Sequence, residues 1–598
     1  MTDILFADCE GDDFLDGINR IWCIQLATGT DGEVTVYANH PGYPPIAEAI
    51  ERMKKAEKVA FHNAFGFDFF AINKLYPGTL RREQIIDTLI LSRLMDSTAM
   101  RHSLRDLGEA LGFPKGHHED FSKFSKDMAV YGAQDVRVLQ QAWVGNGARK
   151  VRSFGKFYET FTRACELEFY VAYLIELQRQ HGFDFDYDQA IHLEAIFRQE
   201  QKDIERQLQE VFPPITTPRY SAKQIDKATG KPKRLTDNVE VFNPGSRDQI
   251  AARLIDKYKW KPVKKTENGK PKVDEDVLTS LPYPEARLCA EYMKLGKKLG
   301  MMADGDNAWL KLAEIAPDGS ARMHGHVNTL GARTHRMAHF KPNMAQVDSD
   351  HRLRALFRAV KGQKLVGVDA EGLELRILAH YLHKYDGGVY SDVVHSGDKS
   401  KKTDIHSVNQ RAAGLFSRES AKTMIYAFCY GAGDGKLGQI KLADIKEAGE
   451  PIPKASLTSL GKDLRSKLEN GIEGLGELIT KCKRTHQKRG ALPGLDGRWI
   501  PNLSDHAALN TLLQGNGSLV MKQALVCFHE EIEKLQLLDK MGYCANVHDE
   551  FQLSVDPEYA EKVAEVGKWA ISRAGEVLEV RCPLVGAAEI GLSWADTH

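Results

Sequence analysis

No run of about 18 apolar residues occurs in this chain of 598 residues, so its sequence offers no membrane-spanning helix. A basic leader is also missing. The opening MTDILFADCE puts Asp3 where a secretory signal carries positive charge, which argues against secretion. The nine cysteines form no C-x-x-C, and the nearest two, Cys9 and Cys23, stand well apart. Neither a zinc knuckle nor a disulfide framework is expected, but reduced thiols in a cytoplasmic protein. Internal repeats and low-complexity tracts are absent. An excess of one charge is lacking too: 81 Lys and Arg face 82 Asp and Glu, a net charge of −1. A polyanionic partner would therefore have to be met by charges sorted in space.

What is present is ordinary in bulk and uneven in detail. Hydrophobic residues make up 42% and charged residues 27%, as in a folded soluble protein of several packing units. Basic residues cluster at 219–234 (six, against one acid), at 257–272 (seven lysines) and at 481–489. Each cluster alone fits a solvated surface; three together favour a polyanion. The first 150 residues alternate strand-like runs (ILFAD, IWCIQLA, KVAFHN) with helical stretches at 85–95 and 104–111, as in an α/β domain. Residues 157–212 read as one long, polar helical arm that ends at Pro213–Pro214, and 213–273 as basic loops. The remainder mixes apolar strands and helices, as in an α+β catalytic domain.

Two acidic constellations carry chemistry. Asp8 and Glu10 are two apart on a strand-like run, which puts both carboxylates on one face. Asp68 follows the next strand, and Asp135 lies four residues after Tyr131, on one side of a helix. Four carboxylates beside a tyrosine suit two divalent cations, which activate water and stabilise a leaving oxygen. Each acid alone fits a helix cap or an edge charge equally well. The second constellation pairs Asp369, at the end of KLVGV, with Asp549, at the tip of a hairpin read from NVHDEFQLSV. Hard carboxylate oxygens from two strand ends can share Mg²⁺, although a helix cap and a polar turn explain each separately. Between them, Arg418, Lys422 and Tyr426 step by four along SRESAKTMIYAFCY and share one helix face, which suits a triphosphate with a ring stacked beside it. GAGDGKL has the wrong glycine spacing for a P-loop.

The ordered set D-x-E, H-N-x₄-D and Y-x₃-D resembles the three motifs of DnaQ-like 3′–5′ exonucleases. DAEGLELR, SRESAKTMIYAFCYG and VHDE resemble motifs A, B and C of family A DNA polymerases, most nearly those of the replicative enzymes of short-tailed phages. IDTLILSRL, FNPGSRDQI, GARTHRMAHFKPNMAQV, DIHSVNQ, GLDGR and HAALNTLLQGNGSLV extend that resemblance over most of the chain.

The resemblance implies a multidomain fold: an α/β RNase H-like exonuclease domain (1–150) followed by an α+β right hand. The hand would comprise a mostly helical thumb with basic loops (151–330), a first part of the palm (331–400), fingers (401–500) and a second part of the palm (501–598). It implies template-directed DNA synthesis from dNTPs on a primer–template, with proofreading; the alternatives are a stand-alone exonuclease and a non-catalytic DNA-binding scaffold. Asp369 and Asp549 would hold two Mg²⁺ ions, and Asp8, Glu10, Asp68 and Asp135 two more, with Mn²⁺ able to substitute and Tyr131 orienting water. Arg418, Lys422 and His406 would bind the incoming phosphates. Tyr426 would stack on the nucleotide and favour acceptance of dideoxynucleotides, and Glu374 would exclude a 2′-hydroxyl. Arg336, Gln514 and His548 would contact the primer–template, and Tyr430 the template side. A phage helicase-primase and a single-stranded DNA-binding protein are implied partners of a monomer in the host cytoplasm. A phage member of the family binds host thioredoxin through a large thumb insertion. Here residues 213–237 offer only a short basic stretch, so thioredoxin is not expected and direct contact with duplex phosphates is.

Overall fold

The structure, a computed structural model, describes residues 4–99 and 101–598. Asp3, on which the reading of the leader rests, lies outside them. The chain packs as two compact units: Met1–Phe183 with Gly325–Ala345 and Ala359–His598, and Asp184–His324 with Gln346–Arg358.

The first unit contains two sheets that matter for function. Near the N-terminus five strands run in the order Thr35–Tyr37, Ile21–Thr28, Leu5–Gly11, Val59–Phe61, Ile85–Asp87. The first three pair antiparallel and the last two join in parallel. Burial on both faces explains their continuous apolar runs: Phe6, Ala7, Ile24, Leu26, Val59 and Phe61 are all inaccessible. The expected helix at 85–95 is instead a short strand followed by the helix Thr88–Met95. β-Branched Ile85 and Ile86 extend the sheet, and the Asp87 carboxylate starts the helix by accepting from the Leu89 and Ile90 N–H groups.

The second sheet is antiparallel in the order Met541–Val547, Glu550–Val555, Lys364–Ala370, Gly586–Gly591. Its hairpin turns at His548 and Asp549, with His548 in the left-handed region at φ 57°. The 27-residue helix Ala508–Lys534 runs through the same core. At Gly515 a Cβ would lie 2.7 Å from the end of the Ile500 side chain and 3.2 Å from the Thr334 carbonyl oxygen, so a larger residue would have to push Ile500 aside.

The polar arm expected over 157–212 divides. The helix Thr162–His181 belongs to the first unit and buries Glu168 completely, whereas Tyr187–Val211 belongs to the second. Charge along the first helix misled the reading because Glu168 is paired inside the protein rather than solvated. Within the second unit, Leu208, Phe212, Phe242, Ile250, Leu254 and Cys289 share a core. The basic stretch read as loops forms an exposed antiparallel hairpin, Ile215–Ile225 with Pro232–Glu240. Its turn is set by Asp226, which accepts from the Ala228 and Thr229 N–H groups, and by Gly230 at φ 68°.

Two candidate active sites

The strand Leu5–Gly11 presents Asp8 and Glu10 on one face, and the helix Lys126–Val144 brings Asp135 over it. Carboxylate oxygens of the three lie within 4.8 Å of one another. Asp68, at the head of the helix Asp68–Leu75, joins through Cys9, whose thiol donates to it at 3.3 Å. Crowding buried carboxylates disfavours their charged form. Burial first, then Glu10, Asp135 and Asp68, push Asp8 well above the usual range. Burial, with Asp135 next, pushes Glu10 up to about 8. Burial raises Asp68 to about 7 and Asp135 to about 6. One oxygen of Asp135, Oδ1, is buried and has no hydrogen-bond partner. A hard-oxygen cluster with an unused buried oxygen fits a divalent cation.

Lys115 is a member of this cluster that sequence reasoning missed. Its ammonium lies 2.6 Å from Asp135 Oδ2 and 4.6 Å from the centre of the Tyr131 ring. It reaches there from a loop between helices, where one lysine among His117, His118 and Glu119 carries no pattern. A cavity of about 940 Å³, lined by His62, Arg93, His102, Arg105, Lys115 and Tyr131, opens beside the acids.

Asp369 lies on the strand Lys364–Ala370, and Asp549, 180 residues further along the chain, lies in the turn that leads into the neighbouring antiparallel strand Glu550–Val555. Asp369 stands opposite Glu550, and the Ala370 N–H donates to the Asp549 carbonyl at 3.0 Å. Burial first, then Asp549 and Glu550, push Asp369 up to about 7. Burial first, then Glu374, raises Asp549. Glu550 is turned to other work: its carboxylate accepts from Trp594 Nε1 at 2.8 Å and bonds His598. Buried Glu374 accepts from the Tyr430 hydroxyl at 2.7 Å and from Arg336 at 3.4 Å. The structure thus gathers Asp369, Asp549, Glu374, Tyr430 and Arg336, with His548 exposed at the hairpin tip beside Asp549.

The helix Arg418–Cys429 begins at Ser417, which caps it by accepting from the Ser420 N–H. Lys422 on this helix is exposed, Tyr426 is half-buried, and the Tyr426 and His406 rings lie 6.0 Å apart. Arg418 is engaged: Nε and Nη2 donate to Asp404 at 3.0 and 2.8 Å. Gln514 is half-buried on the helix Ala508–Lys534. The same helix carries Lys522, which with Arg498 encloses Glu168; all three are buried. Lys522 also donates to the Thr329 and His335 carbonyls at 2.8 and 2.9 Å, anchoring the segment that carries Arg336.

The profile of DNA polymerase family A matches residues 218–596. The DNA-directed DNA polymerase of Enterobacteria phage T3 is 31% identical, with all of both chains covered. That of Escherichia phage T7 is 30% identical over the same full extent. Among solved structures, the POL domain of Pol1 from M. smegmatis, in complex with DNA primer–template and dNTP, superposes with a TM-score of 0.74 at 17% identity, covering 100% of this chain and 96% of that one. The chain belongs to DNA polymerase family A and is a phage-type DNA-directed DNA polymerase.

Proposed function

We propose that this polymerase has two separate metal-dependent centres, one that extends a primer and one that shortens it. The observation that carries the reading of the first is that Asp369, at the end of one strand, feels the charge of Asp549, in the turn that leads into the neighbouring strand, and that each is disfavoured as an anion by burial and by nearby acids. Such a pair is relieved by divalent cations, and two Mg²⁺ ions there would activate the primer 3′-hydroxyl and offset charge on the triphosphate. The residues of the chain do the positioning. Arg418 exchanges Asp404 for incoming phosphate, Lys422 adds a second cation, and His406 borders the same space. Tyr426 offers its ring to the nucleotide. Glu374, held by Tyr430 and Arg336, stands against a 2′-hydroxyl, while Arg336, Gln514 and His548 line the path of the primer–template. Closure of the helix that carries Arg418 after correct pairing would serve as the fidelity checkpoint.

The N-terminal region acts, in this reading, as an RNase H-like 3′–5′ exonuclease. Asp8, Glu10, Asp68 and Asp135 would hold the ions, and Tyr131 would orient water. The cavity beside them, with its arginines, lysine and histidines, would receive a frayed single strand. The domain plan is exonuclease 1–150, thumb 151–330, palm 331–400 and 501–598, and fingers 401–500. A phage helicase-primase and single-stranded DNA-binding protein would act alongside it. The test uses a 5′-labelled primer–template with dNTPs, with NTPs, and with no nucleotide. Extension with dNTPs only, and shortening when nucleotide is withheld, is the expected pattern; extension with NTPs, or no shortening, would contradict it.

A further inference from the structure

Two buried side chains hold down the loop from which Arg336 reaches Glu374. The loop joins the paired strands His326–Asn328 and Ala338–Phe340. Immediately before Arg336, inaccessible His335 lies in the left-handed region at φ 60°. That conformation is unfavourable for a residue with a Cβ and lasts only where the surroundings impose it. The ring does not impose it, since neither of its nitrogens has a hydrogen-bond partner. The carbonyl does: it accepts from Lys522 Nζ at 2.9 Å and from Ser518 Oγ at 3.1 Å. These two donors stand one turn apart on the buried helix Ala508–Lys534. Lys522 also donates to the Thr329 carbonyl at 2.8 Å and is held in turn by Glu168 at 2.7 and 2.9 Å. The loop is therefore clamped from the core at Thr329 and at His335.

Glu374 has two donors with different supports. Tyr430 caps the C-terminal end of the helix Arg418–Cys429, so its hydroxyl would travel with that helix on closure. Arg336 is tied to the interior through the clamp. Resting on the reading of Glu374 as the gate against a 2′-hydroxyl, we propose that Lys522 is a positioning residue for sugar selection. It holds Arg336, and through it the Glu374 carboxylate, in place while the helix moves, and Ser518 assists it.

The test compares kcat/KM for dCTP and for CTP on one primer–template, using the full chain. Loss of active enzyme scales both values alike, so damage to folding alone leaves their ratio unchanged. Lys522→Met should lower the preference for dCTP about tenfold, the scale of losing a hydrogen bond from a charged group. Ser518→Ala, which leaves the buried ion pair intact, should lower it about two- to fivefold, the scale for a neutral donor. Glu374→Ala should lower it further, and adding Lys522→Met to Glu374→Ala should change it no more, because both act through one carboxylate. An unchanged preference in folded Lys522→Met, beside a reduced one in Glu374→Ala, overturns the proposal, as does a full additional loss in the double variant. If circular dichroism shows Lys522→Met to be unfolded, Ser518→Ala decides by the same criterion. An unchanged preference in Glu374→Ala would instead overturn the gate on which the proposal stands.

Discussion

The two acidic centres are built on opposite plans. In the N-terminal one, four carboxylates from a strand and two helices crowd together with a lysine already among them. In the other, Asp369 ends a strand, Asp549 stands in the turn that leads into its neighbour, and Arg418, on a separate helix, is paired with Asp404. The contrast follows the two proposed reactions. Hydrolysis of a strand end needs water, ions and a strand, so its site is assembled in advance. Templated addition must reject wrong nucleotides, and in the proposed reading Arg418 would reach a phosphate only after giving up Asp404.

Disabling one centre at a time should separate the two activities. Asp549→Ala should reduce primer extension by about a thousandfold or more, since ion-stabilised transfer is worth several kcal/mol, while shortening of the primer without nucleotide persists. Asp8→Ala should do the reverse. Loss of both activities in either folded variant would show that the centres are not separate.

A second contrast concerns charge that is buried within the core. Glu168 lies between Arg498 and Lys522. Glu168→Ala leaves two buried cations without their shared anion and should cost about 3–5 kcal/mol, read as a lower midpoint in urea. A change below about 1 kcal/mol would mean that the cations find other partners.

The acids of both centres also set a pH dependence. Glu10 sits at about 8 and Asp68 and Asp369 at about 7, all above the ordinary carboxylate value that they regain on unfolding. The folded state therefore holds these protons more tightly. The stability they contribute is complete below about pH 4 and is lost as pH rises through 7 and 8. Divalent ions need the deprotonated forms. Added Mg²⁺ should thus raise the melting temperature more at pH 8 than at pH 5.5, and Glu10→Gln should melt higher than the parent in chelator at pH 8. Equal Mg²⁺ effects at both pH values would contradict this. The smallest expected effect is on the exposed hairpin. Neutralising Lys227, Lys231 and Lys233 should reduce the salt slope of duplex binding by about one to three, and an unchanged slope would remove that contact.

How far the sequence could be read follows the range of each interaction. Period-two spacing was enough to put Asp8 and Glu10 on one strand face, and the helix Leu104–Leu111 was read directly, because both are local patterns. Strand ends and family motifs both suggest pairing Asp369 with Asp549, a long-range approach that no local rule fixes. Lys115 against Asp135, Arg418 against Asp404 and Glu168 against Lys522 were not legible. Each joins two elements whose approach is decided by packing. Charge on the helix Thr162–His181 even pointed the wrong way, because a buried ion pair and a solvated one look alike in sequence.

Asp369 and Asp549 are expected to share divalent ions. Anomalous diffraction from the protein crystallised with Mn²⁺, primer–template and a non-hydrolysable dNTP tests it directly. A manganese peak is expected about 2–2.5 Å from a carboxylate oxygen of each aspartate. A peak bound to one aspartate alone, or none between the two strands, would contradict it.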